Sequence, residues 1–174
     1  SAEVSVTITA VNDAPVLATV SDVSFDEDGS DQVSLSGSDV DGDNLTYSIT
    51  GGSDITAELT GSDVTFSAPQ DFNGSESFSV SVTDGEYTDS QIITVTINAV
   101  NDTPVADTTS ATTNEDQAFV ISLSGSDIDG DILTYSLDSD ASYGSVIIDG
   151  ALATYAPDQD FNGDDSFSFT VSDG

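Results

Sequence analysis

The chain has 174 residues, of which 33 are Asp or Glu and none is Lys, Arg or His, so its formal charge is −33. Such a chain forms no side-chain salt bridge and is repelled by nucleic acid and by anionic membrane surfaces. Lacking Cys, His and Lys, it has no disulfide or thiolate metal site, no imidazole base, no Schiff base and no Lys–Asn isopeptide crosslink.

In chain order, Val4-Ser5-Val6-Thr7-Ile8-Thr9-Ala10 alternates apolar with hydroxyl side chains, which predicts a strand. Val11-Asn12-Asp13-Ala14-Pro15 follows as a linker. Segments with a period of two come next, near 16–25, 32–38, 44–50, 55–60, 63–67, 77–83 and 91–99. They are rich in Val, Ile, Thr, Phe and Tyr, as strands are. Gly, Asn, Asp and Ser fill the turns between them, and no segment has helical spacing. Strands this short and this closely spaced predict an Ig-like sandwich. Tyr47, Phe66, Phe72 and Phe78 read as core, as do Tyr135, Phe161 and Phe167 further on.

The sequence then repeats. Val11-Asn12-Asp13 returns as Val100-Asn101-Asp102, and each is followed by a proline, Pro15 or Pro104. Glu27-Asp28 returns as Glu115-Asp116, and Asp39-Val40-Asp41-Gly42-Asp43 as Asp127-Ile128-Asp129-Gly130-Asp131. Leu45-Thr46-Tyr47-Ser48 returns as Leu133-Thr134-Tyr135-Ser136, and Asp71-Phe72-Asn73-Gly74 as Asp160-Phe161-Asn162-Gly163. The offset grows from 88 to 89 residues, which places one inserted residue after Pro157.

The ends are out of phase with this unit. Val4–Ala10 matches Ile93–Ala99, so residues 1–10 read as the closing strand of a preceding repeat. Residues 11–99 form a complete repeat, and 100–174 a second repeat without its closing strand. With no Met, no signal peptide and no long apolar run, the sequence is expected to be an internal piece of a longer array. The alternative is a subunit whose N-terminal strand completes another subunit's open sheet.

Alternating seven strands up and down brings certain carboxylates to a common pole. Asn12, Asp13, Asp39, Asp41, Asp43 and Asp84 fall at the entry pole of the first repeat. Glu27, Asp28 and Asp71 fall at its exit pole, where the linker supplies Asn101 and Asp102 and the second repeat supplies Asp127, Asp129, Asp131 and Asp173. Many oxygen ligands from several segments, with no competing base, favour Ca²⁺ over Mg²⁺, which demands a tight octahedron. The Asp-x-Asp-Gly-Asp run is not an EF-hand loop: its Gly comes two positions early, no Glu stands at the last loop position, and strands flank it.

Together these residues resemble the cadherin-like tandem repeats of very large bacterial surface proteins and adhesins. Val11-Asn12-Asp13-Ala14-Pro15 is similar to the cadherin linker. Tyr155-Ala156-Pro157-Asp158-Gln159-Asp160-Phe161-Asn162-Gly163, running on to Phe167 and Val171-Ser172-Asp173-Gly174, is close to a pattern those bacterial repeats share. The resemblance covers nearly the whole chain. It implies tandem seven-stranded Ig-like sandwiches arranged as an extended rod, stiffened by interdomain calcium. One departure stands out: Asp71-Phe72-Asn73 replaces the Asp-Arg-Glu of animal cadherins, which removes one expected Glu ligand.

The function this implies is a structural spacer in an extracellular adhesin, stalk or filament at the bacterial cell surface. Its partners would be neighbouring repeats. An adhesive module for a glycan, a surface receptor or another array is the second reading, with Tyr87 and Tyr143 as the exposed aromatic candidates. Neither an enzyme nor direct membrane insertion is expected.

Overall fold

Most of the period-two alternation becomes strand pairing, but the alternating segment at residues 4–10, expected as a strand, does not. The computed structural model describes residues 1–174 as an all-β chain without helix, dividing into two units, Ser1–Val100 and Asn101–Gly174.

The first unit contains β1 (Val16–Leu17), β2 (Val23–Asp26), β3 (Ser30–Ser34), β4 (Gly37–Ser38), β5 (Thr46–Gly51), β6 (Thr56–Thr60), β7 (Asp63–Ser67), β8 (Gly74–Thr83) and β9 (Thr88–Asn98). One sheet has the order β2-β9-β8-β5 and the other β3-β7-β6, with β1 paired to β4. Every pairing is antiparallel except β2 with β9, which is parallel. Alternate residues of β7, β8 and β9 point inward, so Val64, Phe66, Phe78, Val80, Val82, Ile93, Val95 and Ile97 form a nearly dry core. Phe66 and Phe78 meet edge to face, with ring centroids 5.3 Å apart. Tyr47 and Phe72 pack on this core from its margin.

Two of the expected strands are each broken in two. The segment at 16–25 begins in a pairing with β4, leaves it, and resumes beside β9. Side chains carry the backbone across the break. Asp89 accepts the Leu17 N–H at 2.8 Å, Gln91 accepts the Val20 N–H at 3.1 Å, and Asp22 accepts the Thr94 N–H at 2.8 Å. The segment at 32–38 is likewise interrupted at Leu35, which turns into the core and donates its N–H to the Ser62 carbonyl. Nine short elements therefore make seven strands. Residues 1–15 belong to no strand, and Val4, Val6 and Ile8 are 85, 78 and 91 % exposed.

The second unit contains β10 (Val105–Ala106), β11 (Phe119–Ser122), β12 (Gly125–Ser126), β13 (Thr134–Ser139), β14 (Gly144–Asp149), β15 (Leu152–Pro157) and β16 (Ser168–Ser172). Its sheets are β11-β15-β14 and β13-β16, with β10 paired to β12. The registers locate the extra residue differently from the sequence alignment. Val33 pairs with Val64 and Ile121 with Ala153, so the offset has reached 89 before β15. The insertion thus precedes Pro157 and falls ahead of β14, because strand register outweighs the local match of the two Ala-Pro dipeptides. Only Leu123, Val146 and Ala153 form the buried core here, flanked by Tyr135, Tyr155, Phe167 and Phe169. Phe161 is not among the core residues. It stacks on the exposed Tyr143, with centroids 4.5 Å apart and ring planes 9° from parallel.

Candidate metal sites

At the entry end of the first unit, Asp39 organises its own loop. Its Oδ1 accepts the N–H groups of Asp41, Gly42 and Asp43 at 2.8, 3.0 and 3.3 Å. This is an Asx-type turn, closed by Gly42 at φ = 81°, a left-handed conformation that a side chain would strain. Because Oδ1 is committed to the turn, Oδ2 is left over. It is buried and has no hydrogen-bond partner. Asp13 donates its N–H to Asp41 Oδ2 at 2.8 Å, and Asn12 donates Nδ2–H to Asp84 Oδ2 at 3.0 Å. The other Asp84 oxygen accepts the N–H groups of Tyr87 and Glu86, which hold its carboxyl below the usual carboxylate range.

The second unit repeats this arrangement. Asp127 Oδ1 accepts the Asp131 N–H at 3.1 Å, while its Oδ2 is again buried and unpaired. Gly130 takes φ = 80°. Asp102 donates its N–H to Asp129 Oδ2 at 2.8 Å, and Asn101 hydrogen-bonds Asp173. In both units the three loop aspartates, Asp39/Asp41/Asp43 and Asp127/Asp129/Asp131, offer oxygens lying within 4.8 Å of one another. Two oxygens on one Ca²⁺, each about 2.4 Å from it, can be no further apart than that.

At the exit end of the first unit, Glu27 is the one buried charged residue. Its Oε1 accepts the Val100 N–H at 2.6 Å, and its Oε2 is approached by Asn73 Nδ2 at 3.5 Å. Asp28 and Asp71 both adopt left-handed backbone, at φ 60° and 58°, and the Asp71 N–H bonds Asp28 Oδ1 at 3.1 Å. Asp116 and Asp160 repeat the pair with φ 61° and 60° and a 2.9 Å bond. Asn73 and the Val100 N–H, neither of them a carboxylate, also take part at this pole. The only signal for them was their place beside Asp71 and Asn101.

Other acids have purely architectural partners. Glu76 accepts the N–H groups of Ser53, Asp54 and Ile55, which lower its pKa. For Asp165, burial works against the charge, but the N–H groups of Tyr143, Ser142 and Ser166 and the Tyr155 hydroxyl outweigh it. Burial and that same carboxylate push the Tyr155 phenol up. In a chain without bases, the carboxylates that find partners take them mainly from the backbone.

The donor set fits a hard cation. It consists of oxygen alone, and each triad contains a buried carboxylate oxygen that no protein group satisfies. Leaving such an oxygen desolvated is costly, and no basic side chain exists to offset it. Calcium, with six to eight oxygen ligands in flexible geometry, suits acids drawn from several segments better than Mg²⁺.

Two tandem Ig-like sandwiches, each with an acidic cluster where the chain enters, define a cadherin-like tandem repeat. The chain belongs to the bacterial Ig domain family, whose model matches residues 12–96 and 101–174. No curated protein matches the sequence. Among solved structures, two crystal forms of human protocadherin-24 EC1-2 are similar at 16 % identity over 93 % of this chain. Their TM-scores are 0.63 and 0.56, with 88 and 94 % of their own chains covered. An endo-fucoidan hydrolase of glycoside hydrolase family 107 aligns at 21 % identity over 91 % of this chain and 26 % of its own, with a TM-score of 0.40. That score carries no argument about activity. The family match indicates no enzyme family. Tandem domains of this kind are the build of a structural or adhesive module.

Proposed function

We propose that the two units are spacer repeats of an extracellular bacterial adhesin, stalk or filament, stiffened by calcium held at their acidic poles. The observation that carries this reading is the matched pair of orphaned oxygens, Asp39 Oδ2 and Asp127 Oδ2, each inside an aspartate triad of ligand-like spacing. Glu27, Asp28 and Asp71 at one pole, with Asn101, Asp102, Asp127, Asp129, Asp131 and Asp173 at the next, would supply the ligands of a junction ion. Asn12, Asp13, Asp39, Asp41, Asp43 and Asp84 would supply those of the pole before it. The linker supports the idea, because it is already tied by carboxylates on both sides. Val100 is bonded to Glu27, and Asn101 and Asp102, which follow it in the chain, are bonded to Asp173 and Asp129. A cation drawing on both sets would neutralise them and remove the linker's freedom to bend.

Extracellular calcium modules bind at about 10⁻⁴–10⁻³ M, so the array would be stiff outside the cell and slack in chelator. The test is small-angle scattering with subtilisin digestion, in millimolar CaCl₂ and in EGTA. Trypsin is useless on a chain without Lys or Arg. Calcium is expected to lengthen the particle and protect the linker. Identical scattering profiles and cleavage rates in the two buffers would sink the proposal.

A second reading, direct adhesion, is favoured by one observation. Tyr143 is 52 % exposed and backed by the parallel ring of Phe161, the kind of flat aromatic face on which a sugar ring stacks. Glycan-array binding that disappears in Tyr143→Ala would support it, and a blank array would dismiss it.

A further inference from the structure

The outer faces of the two three-stranded sheets differ in kind. In the first unit Gln32, Thr65 and Glu58 stand side by side across β3, β7 and β6, and Ser34, Asp63 and Thr60 form the next row. In the second unit the same two rows, across β11, β15 and β14, read Val120, Thr154, Ile147 and Ser122, Leu152, Asp149. The row between them confirms the match, since Val33, Val64 and Leu59 face inward in one unit and Ile121, Ala153 and Ile148 in the other. Where the first unit has an amide and two carboxylates, the second therefore has three large apolar side chains. Val120, Ile147 and Leu152 are 52, 71 and 49 % exposed. Alternation points them away from the sandwich core, with the half-buried Thr154 and Ala156 beside them on β15. Exposed apolar side chains are ordinary when scattered, but adjoining ones mark an interaction surface.

We propose that this face docks an amphipathic helix of a basic partner, apolar along one stripe and carrying Lys or Arg beside it. The dimensions agree. β14 and β15 are six residues long, about 20 Å, and the three strands span about 10–14 Å. A helix is about 10–12 Å wide, and 20 Å holds about 13 of its residues. Charge agrees as well, because exposed acids border the apolar patch. Asp149 stands at one end, and Asp140 and Asp158 lie toward the other, where Gly144 pairs with Pro157. An added strand is a poorer occupant, because the outer edge of β14 is guarded. Asp140 Oδ1 accepts the Val146 N–H at 3.0 Å and so takes a donor that a pairing strand would need. Residues 1–174 contain neither a helix nor a basic side chain, so they do not supply the occupant. A second copy laid face to face would bury only about 600 Å² in all, short of the roughly 1,000 Å² of a specific interface. It would also bring together two chains of charge −33.

Docking here uses none of the aspartate triads, so the test is run in EGTA and its outcome is independent of calcium stiffening. The isotopically labelled chain is titrated with a Leu/Lys amphipathic helical peptide of about 18 residues, and separately with its Leu/Glu counterpart. The Leu/Lys peptide is expected to shift the backbone amide resonances of β11, β14 and β15 and to leave those of β3, β6 and β7 in place. The Leu/Glu peptide should shift neither set. Ile147→Glu/Leu152→Asp installs the residue types that the first unit carries at these positions, so the sandwich tolerates them, and it makes the chain more acidic. Apolar docking requires this variant to bind the Leu/Lys peptide about ten-fold more weakly or worse, whereas plain attraction between a cation and a polyanion requires it to bind more tightly. Val120→Gln, which leaves the charge unchanged, should weaken binding as well. Shifts spread evenly over both units, equal or tighter binding by the acidic variant, or no binding of the Leu/Lys peptide would each overturn the proposal.

Discussion

Asp39 and Asp127 spend one carboxylate oxygen on their own turn and leave the other buried without a partner. That division gives a residue-scale prediction with opposite signs in two buffers. In Asp127→Asn, calcium affinity should fall about ten-fold or more, roughly 1.4 kcal/mol. In calcium-free buffer the same variant should melt no lower than wild type, since it removes one of three crowded charges. A fall in apo stability with unchanged calcium affinity would show that Asp127 is a turn former only. Glu76 makes the contrasting case. Its pKa is lowered by backbone N–H donors, so its stabilising contribution is present above the ordinary carboxylate range and is lost as pH falls through the depressed folded value. Glu76→Gln should therefore lower the first unit's midpoint at pH 7, by a few degrees. The gap to wild type should close as the buffer is acidified below about pH 4. A gap that stays constant with pH would mean that the charge is irrelevant and only the shape of the acceptor matters.

At the scale of elements, the packing of β7, β8 and β9 sets the first unit's stability. Phe78 is fully buried against Phe66 in a core of twelve buried residues, whereas the second unit buries three. Phe78→Ala should cost about 3–5 kcal/mol and lower the first unit's midpoint by roughly 10 °C or more. The second unit should melt first in wild type and be unmoved by this change, as differential scanning calorimetry would show. The strands themselves were legible in the sequence, since inward Val and Ile alternate with Ser and Thr along β8 and β9. The acidic turns were legible too, because Asp-x-Asp-Gly-Asp closes on itself over five residues. What stayed hidden was decided at long range. The breaks at 18–22 depend on Asp22, Asp89 and Gln91 bonding backbone about seventy residues away, and no local pattern announces that. The early insertion in the second unit was hidden because a repeated Ala-Pro pair aligned better by letter than by register. By sequence position Phe161 matches Phe72, which packs against the first unit's core. In the second unit that position stacks on the exposed Tyr143 instead of entering the core.

For the molecule as a whole, a charge of −33 with no base means that every long-range interaction between side chains is repulsive. Salt should then act in an unusual direction. In a protein held partly by ion pairs, NaCl weakens attraction along with repulsion. Here it can only screen repulsion, with the Debye length shrinking from about 10 Å at 0.1 M to about 3 Å at 1 M. In calcium-free buffer the melting midpoints of both units should therefore rise steadily with NaCl. Bound calcium would act differently from screening. At constant ionic strength, replacing part of the NaCl with millimolar CaCl₂ should raise the midpoints further, MgCl₂ should do so less, and Asp39→Asn/Asp127→Asn should abolish the difference between the two cations. Screening has no means of distinguishing Ca²⁺ from Mg²⁺ at equal ionic strength, whereas oxygen cages of this spacing do. If the two salts prove equivalent, the acidic poles are a solvated surface and the proposed stiffening by calcium is dismissed.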